Sequence, residues 1–150
     1  MNRTSDTPHA QLGDQLCFAL YAASRAAGNA YRALLAPLGL TYPQYLVMLA
    51  IWARDGLTVA EVGAQVGLET STLSPLLKRL EQAGFLTRRR DDRDERVVRL
   101  HLTEVGAALE DRVRPVRARV EGATGLTGAE MADLRRRLLE FRTNLAAADF

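Results

Sequence analysis

A mainly α fold carrying one small β-hairpin, six helices in the order α-α-α-α-β-β-α-α, is predicted by three observations. Threonine is followed three residues later by an amide or an acid at Thr41…Gln44, Thr58…Glu61 and Thr127…Glu130. That spacing is a capping box, in which the two side chains satisfy each other's orphan N–H groups at a helix start. Apolar residues recur at helical spacing through most of the chain. Strict alternation appears in Arg96–Leu102 only, where Val98, Leu100 and Leu102 share one side and Arg99 and His101 the other.

Each element follows in turn. Residues 1–9 are polar and are expected to form a flexible tail. From Gln11 to Leu38 the chain is rich in Ala and Leu with no proline before Pro37, which predicts a long first helix stopped by Gly39. The capping boxes then open helices at 42–54, 59–66 and 127–147, and helical spacing adds 70–83 and 103–122. Leu57 with Val62, and Leu126 with Met131, stand where a hydrophobic staple packs across a helix start. Phe85–Arg90 and Arg96–Leu102 are the two strands, joined by the Asp-rich tip Asp91–Glu95. Pro115 falls inside the fifth helix and is expected to bend or break it.

A chain of 150 residues, 47% hydrophobic and 25% charged, is ordinary for one compact domain. No apolar run approaches the roughly 20 residues that span a bilayer, and Met1–Ala10 lacks the apolar core of a secretory signal. A cytoplasmic location without a membrane partner is expected, in keeping with a single cysteine. The two histidines, His9 and His101, are far apart and form no metal-ligand pattern, and no Gly-rich phosphate loop is present. Neither a metal nor a cofactor is expected.

The net charge of +2, from 20 basic and 18 acidic residues, does not by itself point to nucleic acid. The local distribution does. Residues 78–90 carry Lys78, Arg79, Arg88, Arg89 and Arg90 against Glu81 alone, a basic patch of the kind that meets DNA. The stretch 58–83 is TVAEVGAQVGLETSTLSPLLKRLEQA, a short helix, a turn at Gly67-Leu68-Glu69 and a second helix. That is the helix-turn-helix layout. The first turn of its second helix offers Thr70, Ser71, Thr72 and Ser74, short hydroxyls able to approach base edges or phosphates, and Lys78 and Arg79 follow. The competing view makes Thr70 an N-cap and Pro75 a helix-start residue.

The hairpin RRRDDRDERVVRLHLT places arginines at a tip suited to a narrow minor groove. Asp94, two residues before Arg96, can hold that guanidinium by a bidentate pair. The competing view is a surface ion-pair cluster of little energetic weight. Arg88 and Arg96 complete the expected DNA-facing set.

Leu57–Thr103 resembles the winged helix-turn-helix of the MarR family, down to the tip pattern Asp91…Asp94-x-Arg96 and the closing Leu102-Thr103. The resemblance implies an obligate homodimer on a pseudo-palindromic operator in double-stranded DNA. Residues 10–40 and 103–150 would be the dimerisation helices and 57–102 the winged module.

Leu16–Trp52 is similar to the organic hydroperoxide resistance branch of that family. The motifs are Leu16-Cys17-Phe18-Ala19-Leu20-Tyr21, Tyr31-Arg32 and Leu40-Thr41-Tyr42-Pro43-Gln44-Tyr45. The resemblance implies that Cys17 is a peroxide sensor, that Tyr31 and Tyr42 bond it across the dimer, and that Tyr21 lies near the thiol pocket. It also implies an organic hydroperoxide as inducer. The chain departs from the two-cysteine type, since it has no second cysteine. The one-cysteine route is implied instead: a mixed disulfide with a low-molecular-weight thiol, a cyclic sulfenamide, or over-oxidation.

Helix geometry bears on this independently. Cys17, Tyr21, Ser24, Gly28, Tyr31 and Leu35 fall on one stripe at about 100° per residue. Yet Cys17 and Tyr31 are 14 residues apart, about 21 Å along one helix. Contact between them needs a second copy crossing in the opposite direction about a two-fold axis. Small residues such as Ala22, Ala23, Ala26, Ala27 and Gly28 permit close approach. Phe18, Leu16 and Trp52 would favour an apolar peroxide.

Two other functions compete. A repressor of the same fold released by a small aromatic ligand would make Cys17 structural. A thiol peroxidase would need an efficient resolving step, which a lone cysteine beside a DNA-binding module does not supply, so the chain is not expected to be an enzyme.

Overall fold

The computed structural model describes residues 11–150, so the tail at 1–9 lies outside the described residues. The described chain divides into two compact units, one ending at Val113 and the other Arg114–Phe150. The element order is α1 (Leu16–Leu35), α2 (Tyr42–Ala53), α3 (Val59–Val66), α4 (Thr70–Gln82), β1 (Leu86–Arg90), β2 (Val98–Leu102), α5 (Glu104–Ala123) and α6 (Gly128–Ala147). This is the expected order of six helices and a hairpin. No single helix among the described residues is long and apolar enough to cross a membrane.

All three capping boxes are formed, at Thr41 and Gln44, Thr58 and Glu61, and Thr127 and Glu130. A Thr cap of this kind stabilises a helix by about 1 kcal/mol. The first helix is shorter than expected. Leu12–Asp14 is a separate 3-10 turn and Gln15 is extended, with no side-chain cap. At the other end Pro37 lacks the N–H to continue the helix, so Ala36–Leu38 tightens into a second 3-10 turn. Gly39 follows at φ +74° and the chain swings through 73° into α2. Pro115 does not break α5, which runs without interruption from Glu104 to Ala123. Proline removes only its own N–H from the helix ladder, and the helix continues for eight residues beyond it.

Within the first unit, the fully buried side chains are Leu35, Val47, Met48, Ile51, Leu57, Val62, Leu73, Leu77, Leu80, Leu86, Leu100 and Val113. They come from every element of that unit, at about 1.5–3 kcal/mol of hydrophobic stabilisation for each large side chain removed from water. α2 is held through its buried residues Gln44, Tyr45, Val47, Met48, Ala50 and Ile51.

β1 and β2 are antiparallel, with Leu86 opposite Leu102, Arg88 opposite Leu100 and Arg90 opposite Val98. Both strands are shorter than expected. Phe85 ends the helical turn instead, its N–H donating to Leu80. Arg96 and Val97 belong to the tip, where Val97 donates to the Asp94 carbonyl. The α2–α3 loop lies against the outer edge of β2. Gly56 donates to Leu100, and Leu100 donates to Leu57, at 2.9 and 2.8 Å. Asp55 accepts from the Leu102 N–H at 2.8 Å.

In the second unit α6 opens on its capping box and buries no residue. Leu134, Leu138, Leu139 and Leu145 remain exposed along it.

Candidate nucleic-acid interface and thiol pocket

The helix-turn-helix is built on two glycines. Gly67 caps α3 at φ +70°, a conformation that suits glycine. Gly63 lies so close to the Leu68 carbonyl that a Cβ would sit 2.9 Å from it. α4 then buries Leu73, Leu77 and Leu80 against the core. The opposite face leaves Thr70, Ser71, Thr72, Ser74, Lys78 and Arg79 exposed. Thr70 is not the N-cap. Glu69 is, without a side-chain bond, and Pro75 is the sixth residue of the helix and not a starting residue. The Thr70 hydroxyl is therefore not committed to capping its own helix.

At the hairpin tip Arg96 donates to both oxygens of Asp94, Nε to Oδ1 at 3.0 Å and Nη2 to Oδ2 at 3.1 Å. This is the bidentate geometry that the two-residue spacing suggested. The Arg96 side chain remains 91% exposed, so the pair orients the guanidinium without hiding it. A second device was missed. Asp91, half-buried, accepts from the backbone N–H groups of Arg93 and Asp94 with Oδ1, at 2.8 and 3.3 Å, and from Arg99 Nε with Oδ2. Arg99 also donates to the Gly56 carbonyl at 3.0 Å. Asp91 thus folds the tip and ties it to the α2–α3 loop. Its carboxyl is held below the usual range, first by the Arg99 hydrogen bond and then by the Arg93 amide. Asp94 is lowered likewise by Arg96. The tip pattern Asp91…Asp94-x-Arg96 singled out Asp91, but its partner Arg99 lies eight residues on, where local spacing does not give the pair.

Arg88 is less available than its place in the basic run suggests, since it pairs with Glu81 at 2.8 Å. An open cleft of about 490 Å³ between α4 and the hairpin brings Thr70, Ser74, Arg88 and Arg96 onto one lining. Arg89, Arg90, Arg93 and Arg99 gather in a second depression on the hairpin with Asp91.

The thiol and its tyrosines are distributed over α1 and α2. Cys17 is exposed in the first turn of α1. Tyr21, one turn on, is 59% exposed and carries Arg25 over its ring at 5.6 Å. Leu16 and Phe18 are also exposed. Tyr31 and Tyr42 stack on each other with ring centroids 4.6 Å apart, across the turn between α1 and α2. Tyr45 stacks on Tyr31 at 5.5 Å and is buried. Trp52 follows at 6.5 Å from Tyr45, and its Nε1–H donates to the Gly106 carbonyl at 2.9 Å. Tyr31 and Tyr42 are thus brought together, while Cys17 sits with Tyr21 near the other end of α1. Tyr45 and the Trp52 bond to Gly106 were not foreseen. Among the described residues no three His, Cys, Asp or Glu side chains converge as a metal-ligand set.

Known proteins are similar to this chain in sequence and fold. Residues 30–113 match the family model described as transcriptional regulator SarA/Rot. The HTH-type transcriptional regulator TtmR of Methylorubrum extorquens is 46% identical over 98% of this chain and 75% of its own length. The organic hydroperoxide resistance transcriptional regulator of Bacillus subtilis is 42% identical over 85% of this chain and 86% of its own. AbfR of Staphylococcus epidermidis has been solved in several states. Reduced and bound to DNA, it is 32% identical with a TM-score of 0.77, over 90% of this chain and 92% of that one. Overoxidised and bound to DNA, it gives 0.76 at 32% identity over 89% and 94%. Disulfide-formed AbfR gives 0.66 at 32% identity over 87% and 91%. With its winged helix-turn-helix, its thiol segment and these relatives, the chain belongs to the MarR family of transcriptional regulators, in the organic hydroperoxide resistance branch and with a single cysteine.

Proposed function

We propose that this regulator is a redox-sensing repressor that holds its operator as a homodimer and releases it when Cys17 is oxidised by an organic hydroperoxide. The observation that carries this reading is the stacked pair Tyr31 and Tyr42, whose α1 member, Tyr31, lies 14 residues from Cys17 on the same helix. At about 21 Å along the helix, each thiol meets such a pair only on a second copy. The exposed Leu12, Leu16, Phe18 and Tyr21 in one unit, and Leu134, Leu138, Leu139 and Leu145 in the other, supply apolar surface for that copy. Residues 10–40 and 103–150 then form the dimer and 57–102 the winged module. Thr70, Ser71, Thr72, Ser74, Lys78 and Arg79 meet the major groove, and Arg96, aimed by Asp94, enters the minor groove, with Arg88 on the backbone.

The chemistry follows from the thiolate. Its sulfur attacks the peroxide, the O–O bond breaks, and sulfur gains one oxygen while the alkoxide leaves and is protonated to the alcohol. The sulfenic acid then condenses with a low-molecular-weight thiol, forming an S–S bond and releasing water. Overoxidised AbfR is found on DNA, and this chain is less like the disulfide form than the reduced one. The DNA-bound overoxidised form favours a bulky disulfide adduct, more than added oxygen alone, as the releasing form. Such an adduct needs room beside the tyrosines and displaces the helices that carry α4. Half-sites lie about 34 Å apart, so a shift of a few ångströms defeats simultaneous docking.

The test is operator binding by wild type and Cys17→Ser, before and after treatment with an organic hydroperoxide and a small thiol, with mass spectrometry of the protein. Wild type should lose its operator and the variant keep it. Equal affinity of treated and untreated wild type sinks the redox reading. Loss by both proteins points to control away from Cys17, as in a repressor released by an aromatic ligand.

A further inference from the structure

We infer that Trp52 is a positioning residue that couples the tyrosine cluster to the root of the hairpin. This rests on the redox reading above, which leaves open how motion at the tyrosines reaches the DNA-facing elements. The observations are a chain of contacts within one compact unit. Tyr31 and Tyr42 stack at 4.6 Å, Tyr45 lies 5.5 Å from the first and 6.1 Å from the second, and Trp52 lies 6.5 Å from Tyr45. Tyr45 is 3% exposed and in ring contact with Tyr31, Tyr42 and Trp52, so close packing passes a displacement of one neighbour to the others.

The far end of this chain is equally constrained. The Trp52 indole donates to the Gly106 carbonyl, 54 residues away, at 2.9 Å. Gly106 lies in the first turn of α5, and a Cβ there would fall 1.8 Å from the Phe85 carbonyl. The two backbones are therefore in direct contact. Phe85 joins α4 to β1, donating to Leu80 of the recognition helix and accepting from Thr103. Thr103 in turn donates to the Gly84 carbonyl at 2.5 Å and accepts from the Gly106 N–H at 2.9 Å. Motion of the indole is thus passed to a rigid knot from which both the recognition helix and the hairpin depart. Coupling through packed side chains and hydrogen bonds of this kind is worth about 5- to 150-fold in affinity.

Trp52→Phe keeps an aromatic ring at the site and removes the N–H donor. The phenyl ring preserves the apolar surface expected to favour an apolar peroxide, so reduced Trp52→Phe should bind operator as wild type does, and the two proteins are compared at equal Cys17 adduct occupancy, read by mass spectrometry. Treated wild type should lose about tenfold or more in operator affinity, while the treated variant should stay within about threefold of its reduced form. Release by the variant as complete as in wild type overturns the inference. Retention by wild type itself is a different failure, that of the redox reading. A second measurement needs no variant at this position. Trp52 is the only tryptophan, so the protein's indole emission reports on it alone. Adduct formation should change that emission in wild type and leave Cys17→Ser unchanged, and operator release with unaltered emission would sink the coupling.

Discussion

Gly106 shows how a single residue can be required for a reason that lies far off in sequence. It stands in a helix, where glycine costs about 1 kcal/mol relative to alanine, and nothing in the run Glu104-Val105-Gly106-Ala107 explains it. The explanation is the Phe85 carbonyl, 1.8 Å from where a Cβ would be. Gly106→Ala therefore cannot gain its helical propensity. The backbones must part, breaking the Thr103 bonds and displacing the Trp52 acceptor. The expected outcome is a loss of about 3 kcal/mol, at the upper end of overpacking costs, read from the urea midpoint at constant m. A change within about 0.5 kcal/mol, the range of neutral surface substitutions, would mean that the contact yields freely.

The hairpin tip is the element where charge and fold are most closely joined. Asp91 is held low by Arg99 and then by the Arg93 amide, and Asp94 by Arg96 against repulsion from Asp91. A carboxylate lowered in the folded state contributes stability in full above its unfolded value, near 4, and loses it as pH falls through the folded value. The tip should therefore loosen on acidification below about pH 4. The amide resonances of Arg93, Asp94 and Arg96 should move toward unstructured values before those of the α2 core. Tip resonances that stay fixed while the core unfolds would contradict this. The Asp94–Arg96 pair and the three capping boxes were legible in the sequence because each spans two or three residues, so local spacing determines the geometry. The loop at Asp55–Leu57 acting as a third edge of the sheet was not. Arg99 reaches Gly56 across 43 residues and Leu102 reaches Asp55 across 47, and only tertiary packing brings them together. The stacked tyrosines fall between these cases: their residues were named, but Tyr45 and Trp52 became part of the cluster only once α2 turned back on α1.

On the scale of the whole molecule, a net charge of +2 understates what DNA would meet. Much of the arginine is neutralised locally: Arg54 by Glu61, Arg117 by Glu121, and Arg136 and Arg137 by Asp133. These exposed pairs add little stability, but they cancel positive charge on residues outside the recognition helix. Lys78 and Arg79 stand out on α4, and Arg96 presents its guanidinium at the tip. Each cation that meets a phosphate releases counterions, so the logarithm of operator affinity should fall linearly with that of salt concentration, by about 0.9 per contact. In the proposed homodimer, Lys78→Ala removes two contacts and should flatten the slope by about 1.8. Arg88→Ala should flatten it less, because Glu81 already balances that guanidinium at 2.8 Å and is left behind uncompensated when the arginine goes. Binding titrations across a series of potassium chloride concentrations separate the two. A slope unchanged by Lys78→Ala would remove that residue from the interface. A larger effect from Arg88 than from Lys78 would mean that the Glu81 pair opens on the duplex, so that the hairpin and not the helix carries the main electrostatic contact.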